Sequence, residues 1–384
     1  MTLDRPLRVG ALTLATAIVL AACSGASTAP TSAPTTAPGA TAGESNGPTS
    51  PEPPTADLVL QGAGATFPNP LYQVWFEDFN NKYNNIQIDY QSIGSGGGIK
   101  AITEGTVDFG ASDAPMKDTE IAALPTGSTM LHIPTALGAV VVIFNLGNLK
   151  DLNLDSDNVA NIFLGKITNW NDPAIAANNP GVSLPDLAIR VVHRSDGSGT
   201  TNAFTTYLDT VSGAWHDGVG KGKEVNWPVG IGAPGNDGVA GGVKGDANLG
   251  AVGYVELNYA TTAGLTSAQL KNAAGIFVPG STEGVTAAAE GAAADFPADF
   301  RQAPIINGAG DGTYPIASYT YLLVYAEQPD AAKGQTLVAF LHWALTDGQG
   351  TEGGLGYAPL PAPIKAKAIA ELHRITSGGS PIWP

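Results

Sequence analysis

The 384-residue chain contains a single cysteine, so it cannot form an internal disulfide. Charge is scarce, at 14% of residues, and cations scarcer: 18 Lys and Arg stand against 34 Asp and Glu, a formal net charge of −16. That balance excludes nucleic-acid binding and a basic membrane-surface patch. There is no Gly-Lys-Ser/Thr run, so a nucleotide P-loop is absent. The five histidines, His132, His193, His216, His342 and His373, lack metal-ligand spacing. No cofactor or metal is therefore expected. Gly230-Ile231-Gly232-Ala233-Pro234-Gly235 fits a dinucleotide fingerprint, but among 49 glycines such a match arises by chance, and Pro234 is expected to spoil the helix it needs.

The N-terminus has little charge beyond Arg5 and Arg8, followed by a twelve-residue apolar-biased stretch, 11–22. Twelve residues are too few to cross a hydrocarbon core of about 30 Å. Leu20-Ala21-Ala22-Cys23 matches the lipobox of bacterial lipoproteins, so 1–22 reads as a signal peptide and Cys23 as a lipidated first residue. Residues 24–56 are almost entirely Ser, Thr, Ala, Pro and Gly, with Glu44 and Glu52 as the only charges. Such a composition cannot bury enough surface to fold, and 23–56 is expected to be the lipid anchor and a disordered tether.

What the chain has in abundance is glycine, and three Gly-rich turns precede helical patterns. Residues 188–193 read as an apolar strand, and Ala203, Phe204, Tyr207 and Leu208 repeat at helical spacing. Arg194-Ser195-Asp196-Gly197-Ser198-Gly199-Thr200 joins the two. Small residues let backbone N–H groups approach an oxyanion, the helix N-terminus adds about half a positive charge, and Arg194 adds a whole one. An ordinary turn capped by Ser198 is the bland alternative.

The other two turns follow the same plan. Gly62-Ala63-Gly64-Ala65-Thr66-Phe67-Pro68 precedes a helix capped by Asn69 with Pro70 first, in which Leu71, Trp75 and Phe79 share a face and Tyr72, Phe76 and Tyr83 another. Ile93-Gly94-Ser95-Gly96-Gly97-Gly98 opens a third helix, with Ser95 as its cap or a ligand. Strands are expected near 86–90, 107–110, 139–144, 189–193, 251–255 and 319–325. Their alternation with helices implies mostly parallel sheets, which bind ligands at the carboxyl ends of strands. The length suggests two domains.

Together with Val107-Asp108-Phe109-Gly110-Ala111-Ser112-Asp113-Ala114-Pro115, these turns resemble the phosphate-binding proteins of bacterial high-affinity phosphate transporters. Leu164-Gly165-Lys166-Ile167-Thr168-Asn169-Trp170, Trp227-Pro228-Val229-Gly230, Gly235-Asn236-Asp237-Gly238 and Gly250-Ala251-Val252-Gly253-Tyr254-Val255-Glu256 extend the likeness over nearly everything after residue 57. It implies an α/β, two-lobed, type II periplasmic-binding-protein-like fold with its ligand cleft between the lobes. Lobe I would be discontinuous, 57–138 plus 313–384, and lobe II would be 139–312. The ligand implied is inorganic phosphate and the partner an ABC transporter permease. The protein would be a non-enzymatic monomer outside the cytoplasm, touching the membrane only through its anchor.

Carried over by position, the resemblance has Thr66 and Ser95 giving hydroxyls and Phe67 a backbone N–H. Arg194 would make the charged contact, with Ser198, Gly199 and Thr200 donating from the helix start. Asp196 would orient Arg194, and Asp113 would be the acceptor. A carboxylate suits phosphate because that ligand keeps a proton near neutral pH, whereas sulfate has none and would leave Asp113 facing a bare oxyanion. The competing class is an extracellular phosphate-ester hydrolase using Ser112 or Ser198, which needs His132 or His193 as base. A stand-alone phosphate sensor is the third reading.

Overall fold

The computed structural model describes residues 50–384. The expected signal peptide, Cys23 and the tether as far as residue 49 lie outside the described residues. Residues 50–56, read above as the end of the tether, are instead tied to the fold. Asn85 Nδ2 donates to the carbonyls of Pro54 (2.9 Å) and Ala56 (2.8 Å), and Gln335 Nε2 donates to that of Glu52 (2.9 Å).

Eight strands form the path of a ten-stranded sheet. They are β1 (Leu58–Gly64), β2 (Ile86–Ser92), β3 (Phe109–Ser112), β4 (Met130–Phe144), β5 (Arg190–Arg194), β6 (Ile231–Ala233), β7 (Ala251–Glu256) and β8 (Ile316–Tyr325). Their spatial order is β2-β1-β3-β8-β4-β7-β5-β6. The fold is α/β and two-lobed, and β4 is the element that joins the lobes. Its first part pairs with β8 from Met130↔Tyr325 to Ala139↔Ala317, and its second with β7 from Val140↔Glu256 to Phe144↔Val252. All 15 residues of β4 are buried. Because the chain returns through β8 to the β1–β3 side, the first lobe is discontinuous.

The expectation of mostly parallel sheets needs correction. The flanks are parallel, β1 with β2 and β3, and β5 with β6 and β7. The centre is antiparallel, β3–β8, β8–β4 and β4–β7. Apolar runs such as Ala139 to Phe144 show that a strand is buried on both faces but carry no sign of direction.

Strand β1 was not foreseen, because Gln61-Gly62-Ala63-Gly64 lacks the β-branched and aromatic residues that mark strands. Its small residues serve close packing: a Cβ on Gly62 would lie 2.1 Å from the Phe109 ring. Helix α1 (Asn69–Lys82) does as its pattern predicts, burying Leu71, Tyr72, Trp75, Phe76 and Phe79. Pro68 rather than Asn69 occupies its N-cap, and Asn69 instead accepts from Gln73 Nε2 at 3.1 Å. No described helix is long and apolar enough to cross a membrane.

Candidate functional site

Four helix N-termini converge where the lobes meet. Thr66 and Phe67 lie in the turn between β1 and α1, and Ser95 is the first residue of α2 (Ser95–Thr103). Gly199 and Thr200 open α3 (Gly199–Val211), and Asn236 is the second residue of α4 (Gly235–Val243). Asp113 follows β3, and Arg194 ends β5. Thr66, Ser95, Asp113, Arg194, Ser198, Thr200 and Asn236 are all less than 5% exposed, so this cluster of polar side chains is fully enclosed.

The bonds between them show how close the groups come. Of the two roles open to Ser95, cap or ligand, the first falls away, because Gly94 holds the N-cap position without a side-chain cap. The Ser95 hydroxyl oxygen instead accepts from the backbone N–H of Asp113 (3.2 Å) and, across the lobes, of Gly199 (3.0 Å). Gly199 has to be glycine here: a Cβ would sit 2.5 Å from that of Asp113 and 2.6 Å from Ser95 Oγ. Ser198 caps α3 as expected, its hydroxyl accepting from Thr201 N–H at 3.0 Å. Thr66 Oγ1 accepts from Asn236 Nδ2 at 2.9 Å, and Thr200 Oγ1 from the same nitrogen at 3.3 Å.

Arg194 is the cation of the cluster. Its Nε donates to Asp196 Oδ1 at 2.8 Å, Nη2 pairs with Asp196 Oδ2, and Nη1 reaches Thr200 Oγ1 at 3.4 Å. Burial works to raise the Asp196 carboxyl, but the hydrogen bonds and charge of Arg194 outweigh it and hold Asp196 below the usual range. Asp196 is thus an ionised partner that fixes the guanidinium plane.

Asp113 sits in the opposite regime. Burial pushes its carboxyl up to about 7, against the lowering effects of Thr320, Arg194 and Ser95. Thr320 Oγ1 donates to Asp113 Oδ1 at 2.8 Å, leaving Oδ2 toward Ser95 and Gly199. Near neutral pH this carboxyl is poised to share a proton. Glu256, behind the cluster, is raised well above the usual range by burial; it accepts from Asn258 N–H (2.9 Å), and its Oε2 lies 3.0 Å from the Tyr357 hydroxyl oxygen.

Phe67 places its ring inward, against Gly138 and Tyr357, and its carbonyl accepts from Tyr357 O–H at 2.7 Å. The histidines needed for hydrolysis are engaged elsewhere. His132 Nε2 accepts from Met116 N–H, and His193 Nδ1 contacts the Arg194 carbonyl while its ring stacks on Trp227. Ser112 Oγ is occupied locally by Ala114.

Comparison with known proteins places the chain in a family. The model of the PBP superfamily domain matches residues 29–347. The phosphate-binding protein PstS of Xylella fastidiosa (strain Temecula1) is 43% identical over 318 residues, covering 81% of this chain and 85% of the relative. That of Pasteurella multocida is 42% identical over 336 residues, covering 86% and 94%. The chain belongs to the PstS family. Among solved structures, a phosphate-binding protein from Stenotrophomonas maltophilia superposes with a TM-score of 0.64 at 23% identity, covering 82% of this chain and 93% of that one. At that identity the likeness bears on the fold, which is the PstS family's two-lobed architecture.

Asn236 is the residue of the cluster that sequence reasoning missed. Gly235-Asn236-Asp237-Gly238 marks the family likeness, yet Pro234 suggested that no helix could start there. The structure corrects this: Pro234 is the N-cap, with φ −78° and ψ 136°, where its missing N–H removes no helical bond. Proline immediately before Gly-Asn-Asp was itself a helix-start signal.

Proposed function

We propose that this protein captures inorganic phosphate in the cleft between its lobes and delivers it to the permease of an ABC transporter outside the cytoplasmic membrane. Support comes first from a single observation: one guanidinium, four helix N-termini and one buried carboxyl enclose the same point. Helix N-termini and a buried cation stabilise an anion, and the enclosure strengthens each contact by excluding water. The names of the family relatives, and a phosphate-bound structure from Clostridium perfringens that shares the fold, agree with this ligand.

In this reading Thr66, Ser95, Ser198 and Thr200 give hydroxyls, Phe67 and Gly199 give backbone N–H groups, and Arg194 gives the charge. Asp113 takes the ligand's proton, so that a fully ionised tetrahedral anion meets a like charge instead. The lobes are 57–138 plus 313–384 and 139–312, and the protein works as a monomer without cofactor or catalysis. Cys23 carries the lipid that holds it at the membrane surface. A stand-alone sensor would use the same site; the family's membership favours delivery.

Equilibrium dialysis with labelled orthophosphate, run beside turnover of a chromogenic phosphate ester, tests the reading. Saturable one-to-one binding without turnover is expected. Turnover that Ser112→Ala or Ser198→Ala abolishes would turn it toward a hydrolase. A mature-protein mass showing diacylglyceryl on Cys23 is expected, and an unmodified Cys23 would remove the anchor.

A further inference from the structure

A hydroxyl can donate or accept, so a hydroxyl-lined cavity does not by itself prefer an anion. Three of the hydroxyls in the cluster have had that freedom removed. Thr66 Oγ1 accepts from Asn236 N (3.3 Å) and Nδ2 (2.9 Å). Thr200 Oγ1 accepts from Asn236 Nδ2 (3.3 Å) and Arg194 Nη1 (3.4 Å). Ser95 Oγ accepts from Asp113 N (3.2 Å) and Gly199 N (3.0 Å). Each oxygen has two lone pairs, and in each case two N–H donors occupy them. What remains to Thr66 and Thr200 is the hydroxyl proton, whereas Ser95 already turns its own toward Asp113 Oδ2 at 3.4 Å.

Asn236 supplies three of these six bonds, and both side-chain protons are used, one on each threonine. Its orientation is fixed independently, because Oδ1 accepts from the backbone N–H of Glu256 at 3.3 Å. A flipped amide would set its oxygen against two threonine oxygens and its NH2 against an N–H. The amide also spans the lobes, joining Thr66 beside α1 to Thr200 on α3.

We infer that Asn236 is a positioning residue that locks the hydroxyls of Thr66 and Thr200 as donors, leaving Asp113 as the acceptor for a ligand proton. This deepens the phosphate reading and rests on it. Its consequence concerns the ligand's protonation state: a site with one acceptor accommodates one ligand proton. A second proton, on the more protonated form of phosphate that prevails at lower pH, meets only donors. Releasing the threonine oxygens gives that proton somewhere to go. The ionisable groups facing Asn236 and its threonines are Arg194, Asp196, Asp113, Glu256 and Tyr259, and all remain in the variants below.

The test is orthophosphate affinity of the mature full-length protein at pH 5.5 and pH 8 for wild type, Asn236→Leu and Asn236→Ala. Leu keeps most of the volume, whereas Ala keeps the fold should Leu overpack. Each variant is compared with wild type at the same pH, so titration of Asp113 cancels to first order. Expected is a loss of tenfold or more at pH 8 that shrinks at least threefold at pH 5.5. An equal loss at both values would make Asn236 a packing or lobe-joining residue and overturn the inference, as would no loss at either. Failure of the wild type to bind orthophosphate would instead overturn the phosphate reading itself.

Discussion

The lobes meet in two ways, and the two differ in kind. Inside, they are joined by bonds among neutral groups: Gly199 N–H to Ser95 Oγ, Gly96 N–H to the Gly197 carbonyl at 2.8 Å, and Asn236 to Thr66. At the rim they are joined by ion pairs, Lys223 with Glu120 at 2.7 Å and Arg301 with Asp118 at 2.6 Å. Interior groups have lost water and hold a fixed geometry, so each missing partner leaves a buried polar atom unsatisfied. At the rim Asp118 keeps its water, 91% exposed, and its pair is screened by salt, whereas Lys223 is itself buried. The interior thus offers the fixed geometry that the proposed ligand recognition requires, and the exposed rim pair adds at most a weak, salt-sensitive bias toward the joined state.

The contrast breaks most severely if Arg194 is removed. Arg194→Ala should weaken phosphate binding by about 3–5 kcal/mol in a titration, since it strips a buried cation from a buried anion and leaves Asp196 unpaired. A loss below 1 kcal/mol would mean that dipoles alone hold the ligand. Next comes Asp113→Asn, which replaces the acceptor with a group that can also donate. Phosphate affinity should fall, and its preference over sulfate should shrink by roughly 10² or more. In the wild type, sulfate binding should strengthen as pH drops below about 7, where Asp113 gains a proton.

The same carboxyl predicts a stability effect without ligand. Its pKa is raised from 3.8 to about 7 on folding, so between those values the native chain holds a proton that the unfolded chain has lost. Stability from this group therefore falls as pH rises across that window, by a few kcal/mol at most. Denaturant unfolding of Asp113→Asn against wild type should show a flatter pH dependence between pH 4 and 7; parallel curves would count against the raised pKa.

Rim variants should do least. Arg301→Ala should cost about 1 kcal/mol or less in phosphate affinity, less in 0.5 M salt, and Asp118→Asn a few tenths. Effects as large as that of Arg194→Ala would erase the distinction between rim and interior.

Much of the interior was legible in the sequence. Arg194 and Asp196 stand in one seven-residue turn, Ser198 follows the capping pattern, and Thr66, Ser95 and Asp113 each sit in a short motif. What was not legible depends on chain-distant geometry. The antiparallel centre of the sheet is set by how β4 and β8 pair, and nothing in either strand's composition encodes direction. Ser95 could be read as a cap or a ligand, and nothing local told of its actual partners, Asp113 and Gly199, which lie 18 and 104 residues away. Asn236 was hidden because its role lies 170 residues away on Thr66, behind a proline that seemed to forbid the helix presenting it. The rim pairs left no mark at all, since a lysine and a glutamate read the same in a sequence whether or not they meet.

The most direct test of the central claim is a crystal structure of the protein grown with orthophosphate. The account predicts a tetrahedral anion within hydrogen-bond distance of Thr66, Ser95, Arg194, Ser198 and Thr200, with one oxygen facing Asp113 Oδ2. An anion held elsewhere, or one at this place whose oxygens all avoid Asp113, would contradict it.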